Sequence, residues 1–127
     1  MRAPFCKIAL STVSLSTVVA LSGVHAQNPT RGKDLFEKRC AGCHALDSEK
    51  EGPRLRGVYG RTSGTVPSFT YSEALKNAHI TWGDASLDKW LIDPEKLVPN
   101  NDMAFHVESS EERSAIIAYL KQLTKRE

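Results

Sequence analysis

The chain has 127 residues, three of them cysteine, with 17 Lys+Arg against 15 Asp+Glu and a formal net charge of +2. So near-balanced a charge excludes the basic footprint of a nucleic-acid binder. The length leaves room for one small domain, whose core is modest unless something else fills it.

Residues 1–26 read as a secretory signal. Arg2 and Lys7 make a positive start, 8–24 is an apolar run diluted by Ser and Thr, and Val24-His25-Ala26 offers small residues at the positions a signal peptidase reads. The run is too short and too polar for a membrane span, so no stable membrane insertion is expected after cleavage. Cys6 and His25 leave with this segment. What remains, 27–127, is a single domain. Losing Arg2 and Lys7 leaves it with no net formal charge.

Asn28-Pro29-Thr30 is a helix-entry signal, and 31–39 follows as a helix with Leu35, Phe36 and Cys40 on one side. Gly32 is costly inside a helix. Its presence marks either a frayed helix end or a close crossing with another helix that leaves no room for a side chain.

Next comes Cys40-Ala41-Gly42-Cys43-His44. Two cysteines three apart followed at once by histidine is the attachment pattern of a c-type haem. On one helical turn these residues fall at i, i+3 and i+4, on one face. Each thiol can then add to one of the haem's two vinyl groups, with the imidazole beneath the iron. Ala41 and Gly42 are too small to obstruct a flat macrocycle. His44 is the candidate proximal ligand. Three other readings are weaker. A thioredoxin-like dithiol needs a βαβ pattern, which is missing. A zinc site needs a second cysteine pair, and the 27–127 segment has none. A disulfide closing so few residues constrains the unfolded chain little. A covalent haem is a large apolar plate that can centre a small core, so the haem-free chain is expected to fold poorly.

The connector 45–51 is charged and reads as exposed, and 52–61 is rich in turn residues. Ser72 is the candidate cap of a short helix over 73–76. Trp82 closes that stretch. Residues 84–92 form a helix with Leu87, Trp90 and Leu91 inward, stopped by Asp93-Pro94. A loop over 95–107 follows. Ser109 with Glu112 three positions on is a capping box. It opens a last helix whose apolar stripe is Ile116, Tyr119, Leu120 and Leu123. No stretch alternates as a strand, so the fold is all-α.

The second axial position falls to Met103, His79 or His106. Met103 is favoured, because a lone methionine in the polar Pro99-Asn100-Asn101-Asp102 loop is oddly placed for core filling. His106, three residues on, is a possible competitor. A thioether favours ferrous iron, so a His/Met pair raises the reduction potential.

From Gly32 onward the chain resembles the small class I cytochromes c. The likeness rests on the Cys40…His44 motif, Gly52-Pro53-x-Leu55, Gly57, Gly60-Arg61-x-x-Gly64, Phe69-Thr70-Tyr71-Ser72, Thr81-Trp82, Pro94, Pro99-Asn100-x-x-Met103-x-Phe105 and Ala118-Tyr119-Leu120. The resemblance implies a few helices wrapped around one haem c, covalent through Cys40 and Cys43. It implies that the Pro53 carbonyl accepts from the His44 imidazole, and that Arg61, Tyr71 and Trp82 surround the haem propionates. It places Asn101 beside the methionine, in the position of a hydroxyl-bearing residue, and matches Met103 to the distal ligand. Gly32 and Phe36 match the place where the first helix crosses the last.

The chain also departs from the family pattern. Trp90 replaces a usual tyrosine and Leu75 a common polar residue. The connector after His44 is short. Glu95 and Asp102 stand where the mitochondrial proteins carry lysines, so the positive docking ring is weakened. The function implied is a monomeric one-electron carrier, not an enzyme, exported to the periplasm. Its partners would be a quinol-oxidising cytochrome complex or dehydrogenase on one side and a terminal oxidase or reductase on the other. The alternative is a haem peroxidase or gas-binding cytochrome with a labile distal ligand, for which no acid–base pair is evident.

Overall fold

The first and last helices set the frame. In the computed structural model, which describes residues 29–124, α1 (Pro29–Arg39) packs across α5 (Ser110–Thr124). Gly32 sits at the crossing. A Cβ there would overlap the Ala115 carbonyl oxygen and stand 2.8 Å from the Tyr119 Cβ, which accounts for the glycine despite its helix cost. One turn on, the Phe36 and Tyr119 rings meet at 5.7 Å between centroids. At the far end Arg39 donates to both carboxylate oxygens of Glu112, at 3.0 and 3.2 Å. The leader reading of 1–26 lies outside the described residues.

Between these helices lie α2 (Glu73–Asn77), α3 (Asp84–Ile92) and α4 (Pro94–Leu97). Ser72 caps α2 as its sequence suggests, its hydroxyl accepting from the Leu75 N–H at 3.2 Å. α3 has the expected ends, with Leu87, Trp90 and Leu91 buried. The short α4 is a correction to the 95–107 loop. The Asp93-Pro94 pair that ends α3 also starts a new turn, because the Asp93 carboxylate accepts from the Lys96 N–H at 3.0 Å and proline suits a first helical position. At α5 only half of the capping box forms. Ser109 Oγ accepts from the Glu112 N–H at 3.2 Å, while the Glu112 carboxylate is turned to Arg39.

Among the described residues there is no strand, only an isolated bridge between Thr62 and Thr81. The backbone there is still well paired: Trp82 N–H donates to Arg61 at 2.9 Å and Ser63 N–H to Ile80 at 2.7 Å. Arg113, buried in α5, has no counterpart in the sequence reading. Its guanidinium donates to Asp88 at 2.7 Å and to the Val107 and Glu108 carbonyls at 2.9 and 2.7 Å. It therefore ties α3, α5 and the segment leading into α5 together. The architecture is all-α, as expected.

Candidate haem site

The turn after α1 carries the two thiols. Cys40 and Ala41 N–H groups both donate to Phe36 O, at 2.8 and 3.0 Å, and His44 N–H donates to Cys40 O at 2.9 Å. This is one further helical turn, so Cys40, Cys43 and His44 share a face as their spacing implies. Both cysteines are free thiols, Cys40 half-buried and Cys43 exposed. Burial pushes the Cys40 thiol up to about 11, so it is protonated at neutral pH until it is alkylated.

The connector then folds back on this turn. Gly52 N–H donates to Cys43 O at 2.8 Å, Leu55 to Ala45 at 3.0 Å and Arg56 to Leu46 at 2.9 Å. That return brings the Pro53 carbonyl to 2.8 Å from His44 Nδ1. A carbonyl only accepts, so the proton sits on Nδ1 and Nε2 keeps its lone pair. Burial holds the imidazole below its ordinary pKa and outweighs the opposing Pro53 bond; the Lys50 charge adds to the lowering. His44 is thus neutral at pH 7, the form that binds metal.

Gly52 has a second task at this site. A Cβ there would overlap His44 Cε1 and lie 2.6 and 2.8 Å from the two ring nitrogens. Gly52→Ala is expected to push the ring off the Pro53 carbonyl and destabilise the haem-loaded protein by about 1–3 kcal/mol, the range for overpacking. Denaturant unfolding measures this; wild-type stability would mean that the ring moves aside freely.

All nine candidate residues, Cys40, Cys43, His44, Pro53, Arg61, Tyr71, Trp82, Asn101 and Met103, line one cleft of about 440 Å³. That is the size class of a cofactor site. Its remaining walls are largely apolar, with Leu55, Val58, Leu87, Trp90, Leu91, Ile116 and Leu120 among them. His79 and His106 are exposed and do not line it.

Arg61 is half-buried and donates to the carbonyls of Arg54 at 2.8 Å and Arg56 at 3.2 Å. Burial lowers its pKa, the sign of an under-solvated cation that would favour an anionic group beside it. Tyr71 is buried, and burial raises its phenol, so it is a neutral donor at pH 7. Trp82 stacks at a tilt on Trp90, 5.3 Å between centroids. A pair of thiols, a neutral imidazole, a thioether, apolar walls and one under-solvated cation fit an iron macrocycle that bears carboxylates.

Asn101 lies beside Met103. The Asn101 side chain serves the backbone: Oδ1 accepts from the Met103 N–H at 2.7 Å and Nδ2 donates to Val98 O at 2.9 Å. The donor to the sulfur is Trp90, whose Nε1 lies 3.1 Å from Met103 Sδ. In the sequence Trp90 signals itself only by replacing a usual tyrosine. Gly52 is visible there as part of a motif, but its contact with the imidazole belongs to the fold.

A helical shell that closes an apolar cleft around two thiols, an imidazole and a thioether defines a covalent haem protein of the class I type. The family model for cytochrome c matches residues 29–124. A cytochrome c of Euglena viridis is 52% identical over 96 residues, spanning 73% of this chain and 94% of its own length. One of Chlamydomonas reinhardtii is 45% identical over 98 residues, spanning 74% and 88%. Among solved structures, cytochrome cH from Methylobacterium extorquens is similar with a TM-score of 0.71 and 36% identity, covering 75% of this chain and 98% of its own. The chain belongs to the cytochrome c family. It is an electron carrier, not an enzyme, and its cofactor is a c-type haem held covalently through cysteine.

Proposed function

We propose that His44 and Met103 are the two axial ligands, and that the protein shuttles single electrons between periplasmic partners. The observation that carries this reading is the pair of outer contacts: Pro53 O on His44 Nδ1 and Trp90 Nε1 on Met103 Sδ. Each orients a soft or neutral donor atom within the same cleft. Bound there, the haem supplies a one-electron iron couple. The chain's residues do the rest. Pro53 strengthens donation from His44. Trp90 draws density from the sulfur and so favours the reduced state. The apolar walls would keep water from the bound haem, and Arg61, Tyr71 and Trp82 would meet its propionates. With His44 and Met103 both held in place, the chain would offer the two oxidation states the same surroundings, and little reorganisation would oppose transfer.

Export follows from residues 1–26, and the partners we propose are a quinol-oxidising complex or dehydrogenase and a terminal oxidase or reductase. None of the helices among the described residues is long and apolar enough to cross a membrane. The test is the visible spectrum of the purified protein, oxidised and reduced, with and without carbon monoxide, alongside its intact mass. We expect low-spin spectra, the weak far-red band of methionine-bound ferric iron, no response to the gas, and a chain that begins at Gln27. A high-spin spectrum or a prompt shift with the gas would mean an open iron. A mass that retains 1–26 would remove the export reading.

A further inference from the structure

We propose that the Glu95 carboxylate is a positioning residue for Met103, acting through the backbone of Asn100 and the amide of Asn101. The inference rests on Met103 being the distal ligand. The segment from Val98 to Val107 is buried at both ends and largely exposed between them, with no regular structure. At its far end Val107 N–H donates to Leu91 O at 2.7 Å. At its near end the hydrogen bonds converge on one side chain. Asn100 N–H donates to both Glu95 oxygens, at 2.9 and 3.2 Å, and Asn101 Nδ2 donates to Glu95 Oε2 at 3.3 Å.

Those bonds have a direction of influence. With Nδ2 held by Glu95 and by Val98 O, the Asn101 amide can turn only its oxygen toward the Met103 N–H, which it meets at 2.7 Å. Asn100 lies at φ 64°, a left-handed conformation that costs a residue with a side chain. The charged acceptor offsets that cost, since hydrogen bonds to an ionised group are about twice as strong as neutral ones. Glu95 is itself well anchored. It stands on α4, whose first turn is fixed by the Asp93 cap and by the buried Pro94. A clamp thus runs from a capped helix to the backbone of the sulfur-bearing residue, while Trp90 holds the sulfur from the other side. This gives a negative side chain a role inside the chain.

The test compares haem-loaded wild type with Glu95→Ala and Glu95→Gln, with Met103→Ala as the control. The probe is imidazole, which enters the ferric distal site as the methionine leaves. Affinity is read from loss of the far-red band, and backbone mobility from hydrogen exchange at the Asn100 and Met103 amides. Loss of the clamp is expected to raise imidazole affinity about tenfold in Glu95→Ala, the equivalent of one hydrogen bond. Glu95→Gln, which keeps a neutral acceptor, should fall between it and wild type. Both amides should exchange faster in that order, and by more than the amides of α5, with the thermal midpoint falling in the same graded order. Wild-type affinity and exchange in Glu95→Ala would overturn the proposal. So would a rise of equal size in both variants with the α5 amides quickened as much, which marks general loosening. If Met103→Ala binds imidazole no tighter than wild type, the ligand assignment has failed, and the clamp fails with it for that separate reason.

Discussion

Met103→Ala is expected to open the iron and lower the reduction potential by tenths of a volt, within the roughly 0.8 V span that axial ligation commands. The argument is local. Among the described residues that line the cleft, the thioether is the only soft donor apart from the two thiols that the haem consumes. Without it the ferric state loses a ligand that disfavours it, and the distal position falls to water or an added gas. Potentiometry and carbon monoxide binding read the two consequences independently. Trp90→Phe provides the contrast. It removes the 3.1 Å bond to sulfur but leaves the ligand, so the potential should fall by less and the iron should stay closed. An unchanged potential in Met103→Ala would refute the assignment.

The double variant Cys40→Ala/Cys43→Ala, with no covalent haem, is expected to lose most of its native helicity. The haem would otherwise occupy a cleft of about 440 Å³ walled by Leu55, Trp82, Trp90 and Ile116 among others. Left without the haem, the cleft is open to water and its apolar walls are wetted instead of buried. A small domain has only about 5–15 kcal/mol of stability to lose. Cys40→Ala alone keeps one thioether and should be destabilised less. Far-UV circular dichroism decides the matter, and full helicity in the haem-free double variant would show that the helices pack without the haem.

What could be read from the residues alone was whatever is contiguous. Cys40, Cys43 and His44 are legible because one helical turn holds all three, and the chemistry needs only that spacing. Ser72 and Asp93-Pro94 are legible because caps act over three or four residues. Even so, local reading missed α4, because the Asp93-Pro94 pair is both a stop and a start. Gly32 stood out by its helix cost, which suits a frayed end as well as a close approach, and the Ala115 carbonyl that excludes a side chain there belongs to the fold. Resemblance to a family took the reading further, to residues that line the cleft, and set Asn101 beside the methionine without naming the backbone N–H it serves.

By itself, then, the sequence determined the attachment turn, four of the five helices among the described residues and the all-α class, since each depends on interactions between residues a few positions apart. Only the tertiary structure decided which other groups meet around the cleft: Trp90 on the Met103 sulfur, Gly52 against the His44 ring, and Glu95 on Asn100. Those contacts join loops and helices whose separation no period or cap encodes. They are set by how α3, α4 and the returning connector pack around one cleft, where a shift of an ångström is enough to exchange one hydrogen-bond partner for another.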